Sequence, residues 1–166
     1  MDPNDLLANA GRSRETTIVR DAEGRWFQDG DPLEHPNLTH AFDCWLERAE
    51  DGRYCLRNDI NWAYVTIEGA PLFVRSVAID DGGITLKLSD DREERLVAPS
   101  LRVGPEGALY CDVREGTMVA RFDRHAMFLL EPLVGEDKEG QTLRIGGEIV
   151  RPRTVVDPLA LVPQQS

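Results

Sequence analysis

The sequence feature that most constrains the fold is the segment at residues 53–75, which holds the longest run of apolar and aromatic residues in the chain. Asn, Asp, Gly and Pro interrupt it at short intervals, which divides it into strand-length pieces joined by turns. Within it Ala63, Val65 and Ile67 alternate with polar or aromatic neighbours and share one face of a strand. The segment therefore predicts an antiparallel meander, with strands at 54–56, 62–67 and 72–79, and it carries no catalytic signature.

Two helices are predicted by apolar stripes at helical spacing. The first is expected to begin after Asn37, whose side chain can accept a free backbone N–H, and to end before Gly52. The second is expected to follow Asp123 as its N-cap and to be limited by Pro132, which lacks an N–H. The first stripe consists of Leu38, Phe42, Trp45, Leu46 and Ala49, and the second of Ala126, Leu129, Leu130 and Leu133.

The other strands are predicted in hairpins, of which the last, at residues 142–151, turns at Gly146 and Gly147 because two glycines suit a primed turn. Short antiparallel strands mixed with two helices predict an α+β fold of two small lobes, each with one packed helix. We predict a flexible lead-in at residues 1–16, an N-terminal lobe at 17–80, a C-terminal lobe at 81–151 and an extended tail at 152–166.

The charge of the chain argues against several classes of partner. The formal net charge is −11, which opposes binding to the phosphates of nucleic acids and to anionic membrane surfaces. The apolar runs are shorter than a membrane-spanning helix needs, and the acidic start of the chain differs from a secretory signal. Cys44, Cys55 and Cys111 cannot all pair and are expected to be reduced thiols. These features predict a cytoplasmic protein that binds neither nucleic acid nor membrane.

One pair of residues suggests enzyme chemistry. His40 and Cys44 are four residues apart on the first predicted helix, within reach of each other as a thiol–imidazole pair. Asp43 and Glu47 lie on the same helix, however, and an activated thiolate favours an electropositive setting. The histidines fit no metal-binding motif. We therefore predict no catalytic residue, no metal site and no cofactor, and keep a cysteine–histidine enzyme as the least favoured alternative.

The basic residues are mostly arginines, which recognise carboxylates and phosphates through two parallel hydrogen bonds. Such arginines can also simply balance surface acids, and the aromatic residues of strands can pack on a sheet face or in a core. Both interpretations stay open. The candidate ligand-binding residues are Arg75, Arg114, Arg121 and Arg124, with Trp62 and Tyr64 as rings on which a base could stack.

Three segments together resemble a known bacterial family. They are RDAEGRWFQDGDPL at residues 20–33, GRYCLRNDINWAYVTIEGAPLFV at 52–74 and GTMVARFDRHAMFLL at 116–130. The combination resembles the bacterial domain of unknown function twelve-eighty-five over residues 19–134. The resemblance implies two α/β lobes, the second similar to a pleckstrin-homology fold, with a nucleotide-like ligand between them and a role in signal transduction. Asn58 to Trp62 depart from the Thr-Pro-Val-Glu-like run that is common in the family.

The sequence thus favours a non-catalytic regulatory or signalling domain that binds a small anionic, nucleotide-like ligand between its two lobes. The arginines would meet the phosphate or carboxylate, and Trp62 or Tyr64 would stack on a base. The alternative is a protein–protein interaction module without a small-molecule ligand.

Overall fold

The fold is α+β, as predicted. The computed structural model describes residues 2–162, and its contacts divide the chain into two compact units between Pro71 and Leu72. In the described residues there are three α-helices and seventeen short strands. Within residues 2–162 the first unit contains two α-helices, one more than predicted, and the second contains one, together with small sheets, as expected for an α+β architecture.

The first unit contains two sheets. One has the strand order β3-β2-β1-β7 and the other the order β4-β5-β6, where the elements are α1 (Pro3–Ala8), β1 (Val19–Arg20), β2 (Trp26–Gln28), β3 (Asp31–Pro32), α2 (Pro36–Trp45), β4 (Leu46–Arg48), β5 (Tyr54–Arg57), β6 (Trp62–Tyr64) and β7 (Thr66–Ile67). The buried core of this unit is formed by Leu6, Leu7, Ile18, Trp26, Leu38, Phe42, Leu46, Leu56, Ala63 and Val65.

The beginning of the chain corrects the prediction of a flexible lead-in. Helix α1 starts after Asp2, whose carboxylate accepts the backbone N–H of Asn4 at 2.9 Å. Leu6 and Leu7 are buried in the core of the first unit. The prediction was wrong because two adjacent leucines in a polar segment show no period, yet their burial supplies the stabilisation that a short helix lacks by itself. Met1 lies outside the described residues.

Helix α2 differs from its prediction at both ends. His35 is the N-cap residue and Pro36 occupies the first turn, where its fixed φ and missing N–H suit a helix start. The helix ends at Trp45, because the next residues form strand β4, in which Leu46 pairs with Leu56 of β5. Inter-strand hydrogen bonds thus replace the last predicted helical turn.

The predicted meander is only partly present. Strands β5 and β6 pair antiparallel, and Ala63 and Val65 are buried, as the alternation predicted. The predicted strand at 62–67 is interrupted at Val65, however, and β7 pairs in parallel with β1. The third predicted strand belongs to the second unit. Alternation in the sequence determined which side chains face the core but not which strands are neighbours.

The second unit contains a seven-stranded and a three-stranded sheet. Their orders are β10-β9-β8-β13-β12-β11-β17 and β14-β15-β16, where the elements are β8 (Leu72–Asp80), β9 (Gly83–Leu88), β10 (Glu93–Arg95), β11 (Arg102–Val103), β12 (Leu109–Val113), β13 (Met118–Phe122), α3 (Arg124–Leu130), β14 (Val134–Asp137), β15 (Gly140–Ile145), β16 (Glu148–Val150) and β17 (Arg153–Thr154). The pleckstrin-homology-like character that the resemblance implies for this region stays a prediction.

The boundary between the units also corrects a prediction, which had placed it after Asp80. Strand β8 pairs antiparallel with β9 and in parallel with β13, so Asp80 and Asp81 lie at a hairpin turn. Helix α3 begins as predicted: the Asp123 side chain accepts the N–H of Ala126 at 2.9 Å.

The C-terminal region follows the prediction in part. Gly146 and Gly147 have φ values of 60° and 81° in the turn between β15 and β16, as a primed turn requires. The tail is extended where β17 pairs in parallel with β11. Residues 163–166 of the predicted tail lie outside the described residues. Across residues 2–162, every helix is too short or too polar to cross a bilayer.

Candidate ligand-binding site

The second unit contains a cavity of about 680 Å³, a volume within the range of small-molecule sites. Helix α3 supplies Met127 and Leu130, and β15 supplies Thr142 and Leu143. Strand β11, the turn before β12, and strand β17 supply further lining residues. Its lining residues are Val103, Gly107, Leu109, Met127, Leu130, Val134, Glu139, Gly140, Gln141, Thr142, Leu143, Arg151, Pro152, Arg153 and Thr154.

The walls of this cavity are mainly aliphatic. Leu109, Leu130 and Leu143 are buried, whereas Met127 and Val134 are 39% and 47% exposed. Because these three leucines are also buried residues of the second unit, the packing that stabilises the unit also holds this part of the cavity wall. Apolar surface that remains open in this way can be covered by a ligand.

Two arginines with different surroundings line the polar side. Arg151 forms ion pairs with Asp137 and with Glu139, the latter with 3.6 Å between Nε and Oε2. The hydrogen bond from Arg151 lowers the pKa of the Asp137 carboxyl, and the backbone N–H of Glu139 adds to the effect. Arg153 is exposed on β17, and its guanidinium has no hydrogen-bond or ion-pair partner within residues 2–162.

The four predicted arginines all lie in the second unit, and none is among the cavity-lining residues named above. Arg114 is held by Asp90, with 2.7 Å between Nη2 and Oδ2, and the side chain of Asp90 is 1% exposed. Arg75 lies 3.5 Å from the carboxylate of Asp123. Acids therefore already occupy these two guanidinium groups, as the charge-balancing interpretation predicts.

The other two arginines have separate environments. Arg121 lies on β13 opposite Tyr110 and is half-buried. Arg124 is the first residue of α3 and is exposed, without a partner for its guanidinium in the part of the chain that the structure describes. These positions make Arg124 the most accessible of the four predicted arginines.

Trp62 and Tyr64 lie on strand β6 of the first unit, with ring centroids 5.1 Å apart in an edge-to-face arrangement. Arginines already stack on both rings: Arg14 lies 5.0 Å from the centroid of Trp62, and Arg53 lies 3.7 Å from that of Tyr64. The phenol of Tyr64 donates to Asp51 at 2.8 Å. The two rings thus form a surface cluster with cations on them, and a base would have to displace these guanidinium groups.

The predicted thiol–imidazole pair is present as a contact. The Sγ atom of Cys44 lies 3.7 Å from Nε2 of His40, one helical turn away on α2. Asp43, which the sequence analysis placed on the same helix, is half-buried and accepts hydrogen bonds from Arg20 and Trp26. The carboxylate of Asp43 thus forms its hydrogen bonds with buried residues of the first unit rather than with Cys44.

Sequence reasoning missed the cavity residues Arg151 and Arg153. Arg151 is the last residue of the final predicted hairpin and Arg153 follows it. Both lie beyond the region of family resemblance, and the R-P-R sequence at 151–153 has no motif character. The one available signal was their spacing: two arginines separated by one residue in an extended segment point to the same side. The cavity itself depends on how α3, β15 and β17 pack, which the sequence does not show.

Comparisons with known proteins establish the fold. No family model matches this sequence, and no curated protein matches it either. Among solved structures, the chain is similar to a DUF1285 family protein from Silicibacter pomeroyi DSS-3, with a TM-score of 0.63 and 20% identity over 85% of this chain and 81% of that chain. The chain has the DUF1285 fold.

A second structure supports the same conclusion. A DUF1285 family protein from Shewanella baltica OS155 matches with a TM-score of 0.51 and 17% identity, over 66% of this chain and 85% of that chain. The resemblance drawn from the three sequence segments is therefore confirmed for the fold. Because one fold serves many functions, the function of this DUF1285-like chain has to be argued from its own residues.

Proposed function

We propose that this protein is a non-catalytic regulatory domain that binds a small anionic ligand in the cavity of its second unit. The observation that carries the proposal is Arg153, a cavity-lining arginine without an acidic partner in the described chain. In a chain of net charge −11, an unpaired arginine beside open apolar surface is a local exception to the overall charge. Convergent polar groups at the edge of an apolar cavity are typical of small-molecule sites.

The overall negative charge does not prevent this binding. Interactions between exposed charges are largely screened beyond about 8–10 Å at physiological ionic strength. An anion in the cavity therefore responds mainly to Arg153 and to the neighbouring pairs of Arg151. A guanidinium also presents several N–H donors in a planar arrangement, which suits a carboxylate or a phosphate.

The composition of the lining supports binding rather than turnover. Among the residues that line the cavity there is neither a histidine nor a cysteine, and the one carboxylate, Glu139, is paired with Arg151. General acid–base or covalent catalysis needs a reactive group placed beside the substrate. A site of this kind is suited to sensing a ligand, which agrees with the signalling role implied by the resemblance.

The proposal is tested by the thermal stability of the full chain in the presence of millimolar AMP, ATP, inorganic phosphate, citrate and medium-chain carboxylates. A ligand that binds the folded state raises Tm, and the shift grows with ligand concentration. We expect at least one anion to raise Tm, and Arg153→Ala to reduce that shift. Arg12→Ala, in the first unit, is the matched control because Arg12 is also an exposed arginine. An unchanged Tm with every anion would contradict the proposal.

Exposed apolar side chains support a protein-interaction module as the second candidate. Phe128 on α3 is 66% exposed and Ile149 on β16 is 65% exposed; large apolar groups in such positions are common at protein interfaces. A photo-crosslinking residue at position 128 is expected to give one discrete adduct in a native lysate. Only diffuse labelling would count against this candidate.

A further inference from the structure

We infer that the ligand of the cavity is an aliphatic monocarboxylate: an unbranched acyl chain with a single negative head group. This inference rests on the proposed function and makes its ligand specific. It follows from two independent features of the lining, namely the number of uncompensated charges and the chemistry of the walls.

The charges at the cavity favour a ligand with a single negative charge over a ligand with more. Arg151 faces both Asp137 and Glu139, so this group of three carries a net charge of −1. Arg153 then contributes the one positive charge without a partner among the described residues. A phosphate monoester carries a charge of about −1.5 to −2 at neutral pH, and its second charge would face Glu139. A carboxylate carries one charge and forms the same paired hydrogen bonds with a guanidinium.

The walls of the cavity suit the aliphatic chain of a ligand better than they suit a nucleotide base. The apolar lining consists of aliphatic side chains and a methionine, and the set of lining residues includes no aromatic ring. Proteins that hold bases commonly stack them on aromatic or arginine planes. An acyl chain needs only apolar contact, and Met127 is unbranched and adapts its shape to a flexible ligand. The apolar side chains are Val103, Leu109, Met127, Leu130, Val134, Leu143 and Pro152.

The positions of the lining residues also indicate where the acyl chain and the carboxylate of such a ligand would lie. The lining leucines Leu109, Leu130 and Leu143 are buried, whereas Arg153 and Thr154 lie on the exposed strand β17. An acyl chain would cover the leucines and leave its carboxylate at the arginine. The volume of about 680 Å³ exceeds what a short acid such as acetate would fill, so affinity should grow with chain length.

The experiment is calorimetric titration of the full chain with hexanoate, octanoate and decanoate, and with decanol and AMP as comparison probes. Each added methylene is expected to lower Kd about 4-fold, the factor that corresponds to burying one CH₂ group. Decanol, which keeps the chain and lacks the charge, is expected to bind at least about 10-fold more weakly than decanoate, because a hydrogen-bonded ion pair is lost.

Two arginine variants separate the site from general charge effects. Arg153→Gln is expected to weaken decanoate binding about 10-fold and to leave decanol binding unchanged. Arg144→Gln removes another exposed arginine, whose guanidinium has no partner among residues 2–162, from a position on β15 outside the lining, and should change neither Kd. Met127→Trp, at a position already 39% exposed, should fill the cavity and weaken both ligands. Circular dichroism of each variant confirms that it is folded.

The outcomes distinguish the two proposals. If AMP binds in an Arg153-dependent manner and decanoate does not, the acyl-carboxylate inference is overturned and the anion-binding function stands. If decanoate and decanol bind equally, with no effect of Arg153→Gln, the apolar walls bind without recognising a head group, and the inference is again overturned. If no probe binds and no anion raises Tm, both proposals fail.

Discussion

The guanidinium of Arg20 lies against the carboxylate of Asp43, with 2.7 Å between Nη2 and Oδ1, and the arginine side chain is fully buried. The same carboxylate oxygen accepts the indole N–H of Trp26 at 2.9 Å. Arg20 also donates to the backbone oxygens of Gly24 and Pro71. The side chain of Arg20 therefore connects the turn between β1 and β2, helix α2 and Pro71, the last residue of the first unit. We expect the Arg20–Asp43 pair to be important for the stability of that unit.

Replacing Asp43 by Ala should lower the free energy of unfolding by roughly 3–5 kcal/mol, because it leaves the buried Arg20 without its counter-charge. Urea denaturation followed by tryptophan fluorescence measures this loss. Glu15→Ala is the control, since Glu15 pairs with Arg53 and the two side chains are 54% and 49% exposed, and such pairs contribute less than about 1 kcal/mol. Equal losses in the two variants would contradict a special role for Asp43.

The stability of the chain should fall as the solution becomes acidic. Hydrogen bonds from Arg95 and Arg151 lower the pKa values of Asp80 and Asp137 below the ordinary value of 3.8. A carboxyl with a lowered folded-state pKa binds fewer protons when folded, so its stabilisation is present above 3.8 and is lost as pH falls through the lower folded-state pKa.

This pH dependence is measured by the urea midpoint at neutral pH, near pH 3.8 and below it. The double variant Asp80→Asn with Asp137→Asn should show a smaller decrease in the midpoint below pH 3.8 than the unmodified chain does. An identical decrease in both proteins would show that other carboxyl groups control the acid transition.

Gly69 should not tolerate a side chain. A Cβ atom added there would lie 2.8 Å from the Cα atom of Ala22, and a backbone atom cannot move aside as the end of a long side chain can. Gly69→Ala is expected to cost about 1–3 kcal/mol in a chemical denaturation experiment. Gly52→Ala is the comparison, because Gly52 has open space and a φ of +87°, so its cost of about 1 kcal/mol is purely conformational. A Gly69 variant as stable as the original chain would disprove the close approach.

The three cysteines should differ in reactivity. Cys44 is half-buried, whereas Cys55 and Cys111 are buried, and burial raises the pKa of both buried thiols. Iodoacetamide should therefore label Cys44 in the folded protein and the other two only after unfolding, as measured by peptide mass spectrometry. His40→Gln should leave the rate at Cys44 within about 2-fold; a collapse of that rate would instead support the cysteine–histidine enzyme.

Much of the local structure could be predicted because it depends on neighbouring residues. The alternation that buries Ala63 and Val65, the capping of α3 by Asp123 and the Gly146–Gly147 turn are all properties of short segments. Helix α1 was missed because its stability comes from the burial of Leu6 and Leu7 in a core assembled from distant segments. The pairing of β8 with β13 was missed for a related reason, since registers between distant strands leave no local signal.

The candidate site likewise combines features that could be predicted from the sequence with contacts that could not. The sequence by itself determined an acidic α+β chain rich in arginine, because composition and periodicity are carried by the residues themselves. Only the tertiary structure decided which arginines meet acids, as Arg114 meets Asp90, and which one is left beside an apolar cavity, as Arg153 is. The physical reason is that an ion pair or a cavity wall requires atoms to meet in space, and residues far apart in the chain meet only after the strands and helices have packed.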